Sequence, residues 1–155
     1  MTTGVFALVG VVIGALVAGI VQAYFELRRE RRDERQAKRI VTGELMQNFL
    51  RITTMLNSGL APNREFQPMV VSGSAWREYG PTLARHMDED AYTAVQAFME
   101  TLPTVRGIVA GFDAGEALPT ELLEGLEASR SHCTASYQVL TGKNNLEELA
   151  GRSPW

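Results

Sequence analysis

The sequence contains little of what covalent or redox chemistry needs. It has one cysteine, Cys133, and two histidines among 155 residues. A single cysteine excludes an internal disulfide and agrees with a reducing compartment. The chain also lacks a Walker A phosphate loop, a GxGxxG dinucleotide loop, a GxSxG nucleophile elbow and paired CxxC motifs. These absences favour a protein that is not an enzyme and that holds no cofactor.

Two groups of residues nevertheless have to be considered, one as metal ligands and one as a catalytic pair. His86 and the acidic residues 88–90 form the densest set of possible metal ligands, but adjacent helical residues point in different directions and do not converge on one ion. His132 and Cys133 have the chemistry of a base and a nucleophile, but neighbours on a helix face about 100° apart. We therefore expect no metal site and no catalytic residue, and we interpret residues 88–90 as the acidic start of a helix.

Charge is absent from the beginning of the chain. Residues 4–25 contain no Asp, Glu, Lys or Arg, and a helix of that length spans roughly 33 Å, about the thickness of a hydrocarbon core. A core helix of a small protein is rarely apolar on every side over such a length. No Lys or Arg precedes the run and arginines follow it directly, which disfavours a cleaved signal peptide. Residues 1–25 are predicted to be a transmembrane anchor.

Charges begin abruptly at Glu26. Residues 26–39 hold seven basic and four acidic side chains, a net charge of +3; the whole chain carries −3, so the other residues carry −6. The excess of Lys and Arg after the span predicts a single-pass protein of the cell (inner) membrane, with its N-terminus outside and its C-terminal domain cytoplasmic. The acidic balance of that domain argues against nucleic acid as a partner.

Small residues recur every four positions along the predicted span. Gly10, Gly14 and Ala18 form one ridge of a helix, and Ala15 and Gly19 belong to a second ridge beside it. Small residues let two helix backbones approach closely in lipid, which favours self-association or packing against a foreign helix. The alternative is that Gly and Ala are simply common in membrane helices.

The charged segment 26–40 is predicted to continue the same helix, because it contains neither Gly nor Pro. Its basic face has four arginines within about 60° of one another, namely Arg28, Arg32, Arg35 and Arg39. We expect this face to contact the headgroups of the lipid bilayer. Two alternatives remain: the charges only fix topology, or basic and acidic faces of neighbouring copies pair.

Residues 41–150 show helical periods and no alternation typical of strands. One apolar stripe continues the first helix to residue 57, where Ser58 and Gly59 are expected to end it. Gly80 with Pro81 is expected to interrupt a short helix, and Pro103 to kink or break a later one. Its continuation carries a stripe that includes Val105, Ile108, Val109 and Phe112.

Pro119 is expected to open the last major helix and Gly142 to end it. The predicted fold is therefore all-α: an N-terminal transmembrane helix continues into a cytosolic, roughly four-helix antiparallel bundle over residues 41–150. Residues 151–155 form a tail.

Three aromatic residues are possible partner contacts. Trp76 and Tyr79 lie three residues apart and can form a recognition patch, although such a pair more often anchors a short helix on a core. Trp155 is the last residue in the sequence, and a tryptophan there is disordered, docked on the domain or bound by a partner.

The overall layout has a Gly-rich span, the exit "ELRRERRDER" and a short helical domain. It resembles uncharacterised small single-pass membrane proteins of high-GC Gram-positive bacteria and their phages, a resemblance that implies no activity. We expect a non-enzymatic, membrane-tethered helical adaptor or accessory subunit whose partners are the bilayer and either a foreign protein or another copy. The alternative is a membrane-active phage or defence protein, holin-like or an exclusion factor.

Overall fold

The computed structural model describes residues 2–62, 71–146 and 148, with side chains from residue 15 onward. It contains four helices: α1 (Thr2–Ser58), α2 (Ser74–Leu83), α3 (Glu89–Val109) and α4 (Thr120–Thr141). No strand occurs in these residues, and the prediction of an all-α helical bundle is confirmed. The chain divides into two units, residues 1–36 and 37–155.

The second unit contains the hydrophobic core. The stripe predicted on α1 is buried at Val41, Leu45, Phe49 and Ile52, because its four- and three-residue spacing keeps these side chains on one helix face. α3 packs against α2 and, more extensively, against α4. Further members of the core on α3 and α4 are Val95, Phe98, Leu102, Val109, Leu126, Tyr137 and Leu140. The prediction that Ile108 belongs to the apolar stripe facing the core is wrong, because its side chain is 46% exposed.

Glycines end two helices where the sequence predicts it. α1 ends at Ser58 and Gly59 follows with φ +63°, while α4 ends at Thr141 and Gly142 has φ +70°. Both glycines occupy the left-handed region, where a side chain would be strained. Pro119 precedes the first residue of α4, which agrees with its predicted place at the start of that helix.

Neither proline predicted to interrupt a helix breaks one. α2 continues through Pro81 to Leu83, and α3 continues through Pro103 to Val109. Proline removes one backbone donor, but its fixed φ is compatible with helix. In α3, Leu102 and Val105 are buried on either side of Pro103, and this packing offsets the loss of one hydrogen bond.

The loop after α1 and the loop between α3 and α4 meet in a short antiparallel bridge. The Ala61 amide donates to the Glu116 carbonyl at 2.8 Å, and the Leu118 amide donates to the Gly59 carbonyl at 2.8 Å. These bonds satisfy backbone groups that neither helix can satisfy.

The first unit consists of the N-terminal part of α1. None of the side chains described between residues 15 and 36 is buried. Across the part of the chain that the structure describes, no helical stretch combines the length and the apolarity that a membrane crossing requires. The apolar run behind the predicted anchor begins at Gly4, ahead of the first described side chain.

Candidate interaction surfaces

Large apolar side chains of α1 are exposed over residues 16–27. Leu16, Ile20 and Phe25 are 62%, 69% and 61% exposed. The same segment also exposes Val17, Val21, Tyr24 and Leu27. A contiguous apolar surface of this kind is unusual on a soluble domain.

The predicted small-residue ridges fall partly within this segment. Ala15, Ala18 and Gly19 are exposed, and a Cβ added at Gly19 would meet no atom within 4 Å. Gly10 and Gly14 belong to α1 but precede the residues whose side-chain surroundings are described. A shallow groove of about 490 Å³ follows the ridge, and it is lined by Ala18, Val21, Gln22, Phe25, Glu26 and Arg29.

The predicted basic face of α1 is open to its surroundings. Arg28, Arg32 and Arg35 are exposed in the first unit, and Arg39 is exposed in the second. The ion pair found among the described residues joins Arg130 to Glu127 at 2.6 Å, and none involves residues 26–39. These guanidinium groups are therefore available to anionic groups outside the chain.

The two aromatic residues of α2 differ in exposure. Trp76 is 7% exposed, and its ring centroid lies 5.0 Å from that of Tyr92. A Cβ added at Gly80 would lie 3.2 Å from the indole, so the ring rests on the backbone of its own helix. Tyr79 is half-buried, and a hydrogen bond with Glu78 raises the pKa of its hydroxyl. Trp155 lies outside the described residues.

A groove of about 500 Å³ lies between α2 and α3. Its apolar lining includes Trp76, Tyr92, Met99 and Pro103. Arg77, Gln96, Glu100 and Arg106 add polar and charged groups. Trp76 is thus largely buried in the core and also lines this groove. Sequence reasoning missed Tyr92, because its contact with Trp76 joins two helices.

Two polar side chains of α1 position the start of α2. The Glu44 carboxylate accepts hydrogen bonds from the Ala75 and Trp76 amides, each at 3.1 Å, and from Ser74 Oγ. One turn later Asn48, which is fully buried, donates to the Ser72 carbonyl at 2.7 Å and accepts from the Ser72 amide at 2.9 Å. A signal existed in the sequence, since Glu44 and Asn48 flank Leu45 beside the apolar stripe of α1.

α3 holds the same segment from another direction. Arg106 donates from Nε to the Val71 carbonyl at 3.1 Å, and from Nη2 to the same oxygen. Val71 is itself fully buried. Side chains of both α1 and α3 therefore hydrogen-bond the backbone from Val71 to Trp76, which forms part of the wall of the α2–α3 groove.

The residues considered as metal ligands or as a base and nucleophile occupy different surroundings in the structure. His86 is exposed in the turn after α2, where its amide donates to the Leu83 carbonyl, and Asp88 precedes α3 as its N-cap residue. His132 is exposed, whereas Cys133 is fully buried. Among the described residues no three His, Cys, Asp or Glu side chains could together hold a metal ion.

Comparison with protein-family models, with curated proteins and with solved structures gives no significant match.

Proposed function

We propose that this protein is a membrane-tethered helical adaptor or accessory subunit of a membrane complex. Residues 1–25 are the transmembrane anchor of the cell (inner) membrane, and residues 26–40 form the charged helix at its cytoplasmic surface. The N-terminus lies outside, and the bundle meets a protein partner in the cytoplasm.

The observation that carries this proposal is the exposed apolar surface of α1 immediately before exposed charges. Leu16, Ile20 and Phe25 are each more than half exposed, whereas every charged side chain from Arg28 to Asp33 is exposed directly after them. Tyr24, 59% exposed, stands at the junction, as aromatic residues do at membrane interfaces. Burial of these apolar side chains in lipid would stabilise them by about 25 cal/mol per Å².

The basic face supports the same orientation. Arg28, Arg32 and Arg35 are exposed on α1 just after the apolar segment. Each Lys or Arg held near an anionic leaflet is worth about 1 kcal/mol. Contact with lipid headgroups therefore sets the depth of the helix and supports a cytoplasmic location for the bundle.

The bundle supports an adaptor better than an enzyme. Burial raises the pKa of the Cys133 thiol to about 12, which suppresses thiolate chemistry. The α2–α3 groove offers a concave, largely apolar surface with charged rims, a composition suited to a protein segment. Trp76 is the proposed contact in that groove, with Tyr79 and Trp155 as further contacts.

Membrane anchoring is tested by cell fractionation and alkaline carbonate extraction of the full chain. We expect the protein to stay in the pellet, because a spanning helix resists carbonate whereas a peripheral protein is released. A reporter active only outside the cytoplasm should work at the N-terminus and fail at the C-terminus. Complete release by carbonate would contradict the anchor.

The adaptor role is tested by gentle detergent extraction followed by sizing and mass spectrometry. A foreign membrane protein should co-purify in fixed stoichiometry. Gly10→Leu with Gly14→Leu should reduce its recovery, because bulky side chains separate the helices. Val5→Leu with Val12→Leu adds similar apolar bulk on the opposite side of the helix, in line with Ala15 and Gly19. It should not reduce recovery if the partner packs along Gly10 and Gly14. A self-complex with no foreign protein, together with loss of membrane potential on overexpression, would instead support the membrane-active alternative.

A further inference from the structure

An apolar stripe on α1 has the spacing of a helix-pairing seam. Leu16, Ile20, Ala23 and Leu27 follow one another at intervals of four, three and four residues. Leu16, Ile20 and Leu27 are 62%, 69% and 57% exposed, and Ala23 is exposed as well. In heptad terms Ile20 and Leu27 occupy position a, and Leu16 and Ala23 position d.

Opposite charges flank this stripe on its two sides. With Leu27 at position a, Glu26 falls at g and Arg31 at e. In a parallel pair of helices, a residue at g lies next to the following e residue of the other helix. Glu26 of one copy therefore faces Arg31 of the second copy, and two-fold symmetry repeats the pair on the other side of the seam.

Opposite charges occur at helical spacing along α1, as in Arg29 with Asp33, but like charges do so too. Like charges recur at the four-residue spacing, as in Arg28 with Arg32, or Glu26 with Glu30, and such pairs destabilise a helix. Among the described residues no ion pair forms in this segment, although Glu26 accepts a hydrogen bond from Gln22 at 3.2 Å. A lipid surface can compensate arginines only, whereas a second copy along the stripe would supply a partner for both Glu26 and Arg31.

The other boundary between the acidic and basic faces is less suitable for pairing. It runs through Ala18, Gln22, Phe25 and Arg29, so a symmetric pair along it would place two Arg29 side chains against each other at the seam. The Leu16–Leu27 stripe is apolar throughout. This difference selects the stripe as the surface for a second copy.

We propose that two copies of this chain pair in parallel along Leu16, Ile20, Ala23 and Leu27, with Glu26 of each copy bound to Arg31 of the other. The parallel orientation rests on the proposed function, because two anchors inserted in the same direction lie parallel. Lipid tails solvate Leu as well as another Leu does, so packing and the two ion pairs provide the specificity. The pairing ends at Glu30, where the seam positions become acidic.

Cysteine cross-linking of the full chain in native membranes tests the seam. In a Cys133→Ala background, we expect oxidative dimers from Leu16→Cys, Ile20→Cys, Ala23→Cys and Leu27→Cys. The matched positions Ala15→Cys, Ala18→Cys and Gln22→Cys lie on other faces and should give few dimers. Preferential cross-linking at Ala18→Cys and Gln22→Cys, or equal yields at all positions, would overturn the proposal.

A charge exchange tests the ion pairs independently. Glu26→Arg or Arg31→Glu alone should weaken dimerisation in detergent by about tenfold, because each change places like charges opposite one another twice. The double exchange should restore association to within about twofold of the wild type. Arg29→Glu makes the same change in net charge as Arg31→Glu, but on the side of the helix opposite the seam, and should have no effect. Failure of the double exchange to restore association would refute the pairing.

The two proposals fail in distinguishable ways. Carbonate extraction of the same membranes reports anchoring, and the cross-linking pattern reports pairing. A protein released by carbonate that still cross-links at positions 16, 20, 23 and 27 would refute the anchor and support the pair. A protein that resists carbonate and shows no periodic cross-linking would support the anchor and refute the pair.

Discussion

Burial determines what the single cysteine can do. Cys133 is fully buried, and its Sγ donates a hydrogen bond to the Leu45 carbonyl at 3.2 Å. Burial raises the pKa of the thiol to about 12, because a thiolate there would lose its hydration. The thiol is thus protonated at neutral pH and is a packing element that links α4 to α1.

Alkaline pH should destabilise the wild-type bundle more than a Cys133→Ala variant. The folded-state pKa is raised, so the thiol contributes its full stability below its ordinary pKa of 9.0 and loses it as the pH rises towards 12. By pH 10 this contribution should have fallen by about 1 kcal/mol. Urea unfolding at pH 7.5 and pH 10 measures the difference. The alanine variant loses packing equally at both values, so parallel pH dependences would contradict the assignment.

At the scale of elements, α2 depends on α1 for its first turn. α2 has 10 residues, and its N-cap residue Gly73 has no side chain to bond the first amides. An isolated helix of this length is marginal in water. The Glu44 carboxylate takes over the capping from a different helix, where its charge also complements the positive end of the α2 dipole.

Glu44→Ala should loosen the start of α2 and lower the free energy of unfolding by about 2–3 kcal/mol, because two amides lose a charged acceptor. Amide hydrogen exchange at Ala75 and Trp76 should accelerate, while exchange in α4 changes only with global stability. Glu124→Ala, a substitution of an exposed glutamate on α4, is the matched control and should change stability by less than about 0.5 kcal/mol. Unchanged protection of the two amides would show that Glu44 does not cap α2.

At the scale of the whole molecule, the two units differ in whether they contain buried hydrophobic core residues. The buried hydrophobic cluster begins at Ala37 and belongs to the second unit. Between residues 15 and 36 the described side chains are exposed or half-buried. The stability of the bundle should therefore be independent of residues 1–36.

A fragment of residues 37–155 should fold on its own and unfold cooperatively, within a few degrees of the thermal midpoint of the full chain in detergent. Its roughly 120 residues are enough for an independent core. A fragment of residues 53–155 is the control: it lacks Val41, Leu45, Phe49 and Ile52, and should not fold cooperatively. Circular dichroism and hydrogen exchange make the comparison. A non-cooperative transition for residues 37–155 would contradict the division into two units.

Features that depend on residues close together in the sequence were predicted correctly more often than features that depend on packing between distant residues. Gly59 and Gly142 were predictable helix ends, because a glycine after an apolar period acts on its own backbone. The predicted helix breaks at Pro81 and Pro103 were wrong, since α2 and α3 continue through them, because the packing of buried neighbours outweighs one missing donor. The proposed seam and basic face on α1 were accessible from spacing, since they lie on one helix.

The amino-acid sequence by itself specifies the four helices, most of their ends and the faces that are apolar or charged. These features depend on residues that are only a turn or two apart. The contacts of Glu44, Asn48 and Arg106 with residues 71–76 belong to the folded molecule alone. The packing of Trp76 against Tyr92, and the burial that keeps the Cys133 thiol protonated, also exist only in the folded molecule. These groups are separated by many residues, and their partners exist only once hydrophobic burial has brought the helices together.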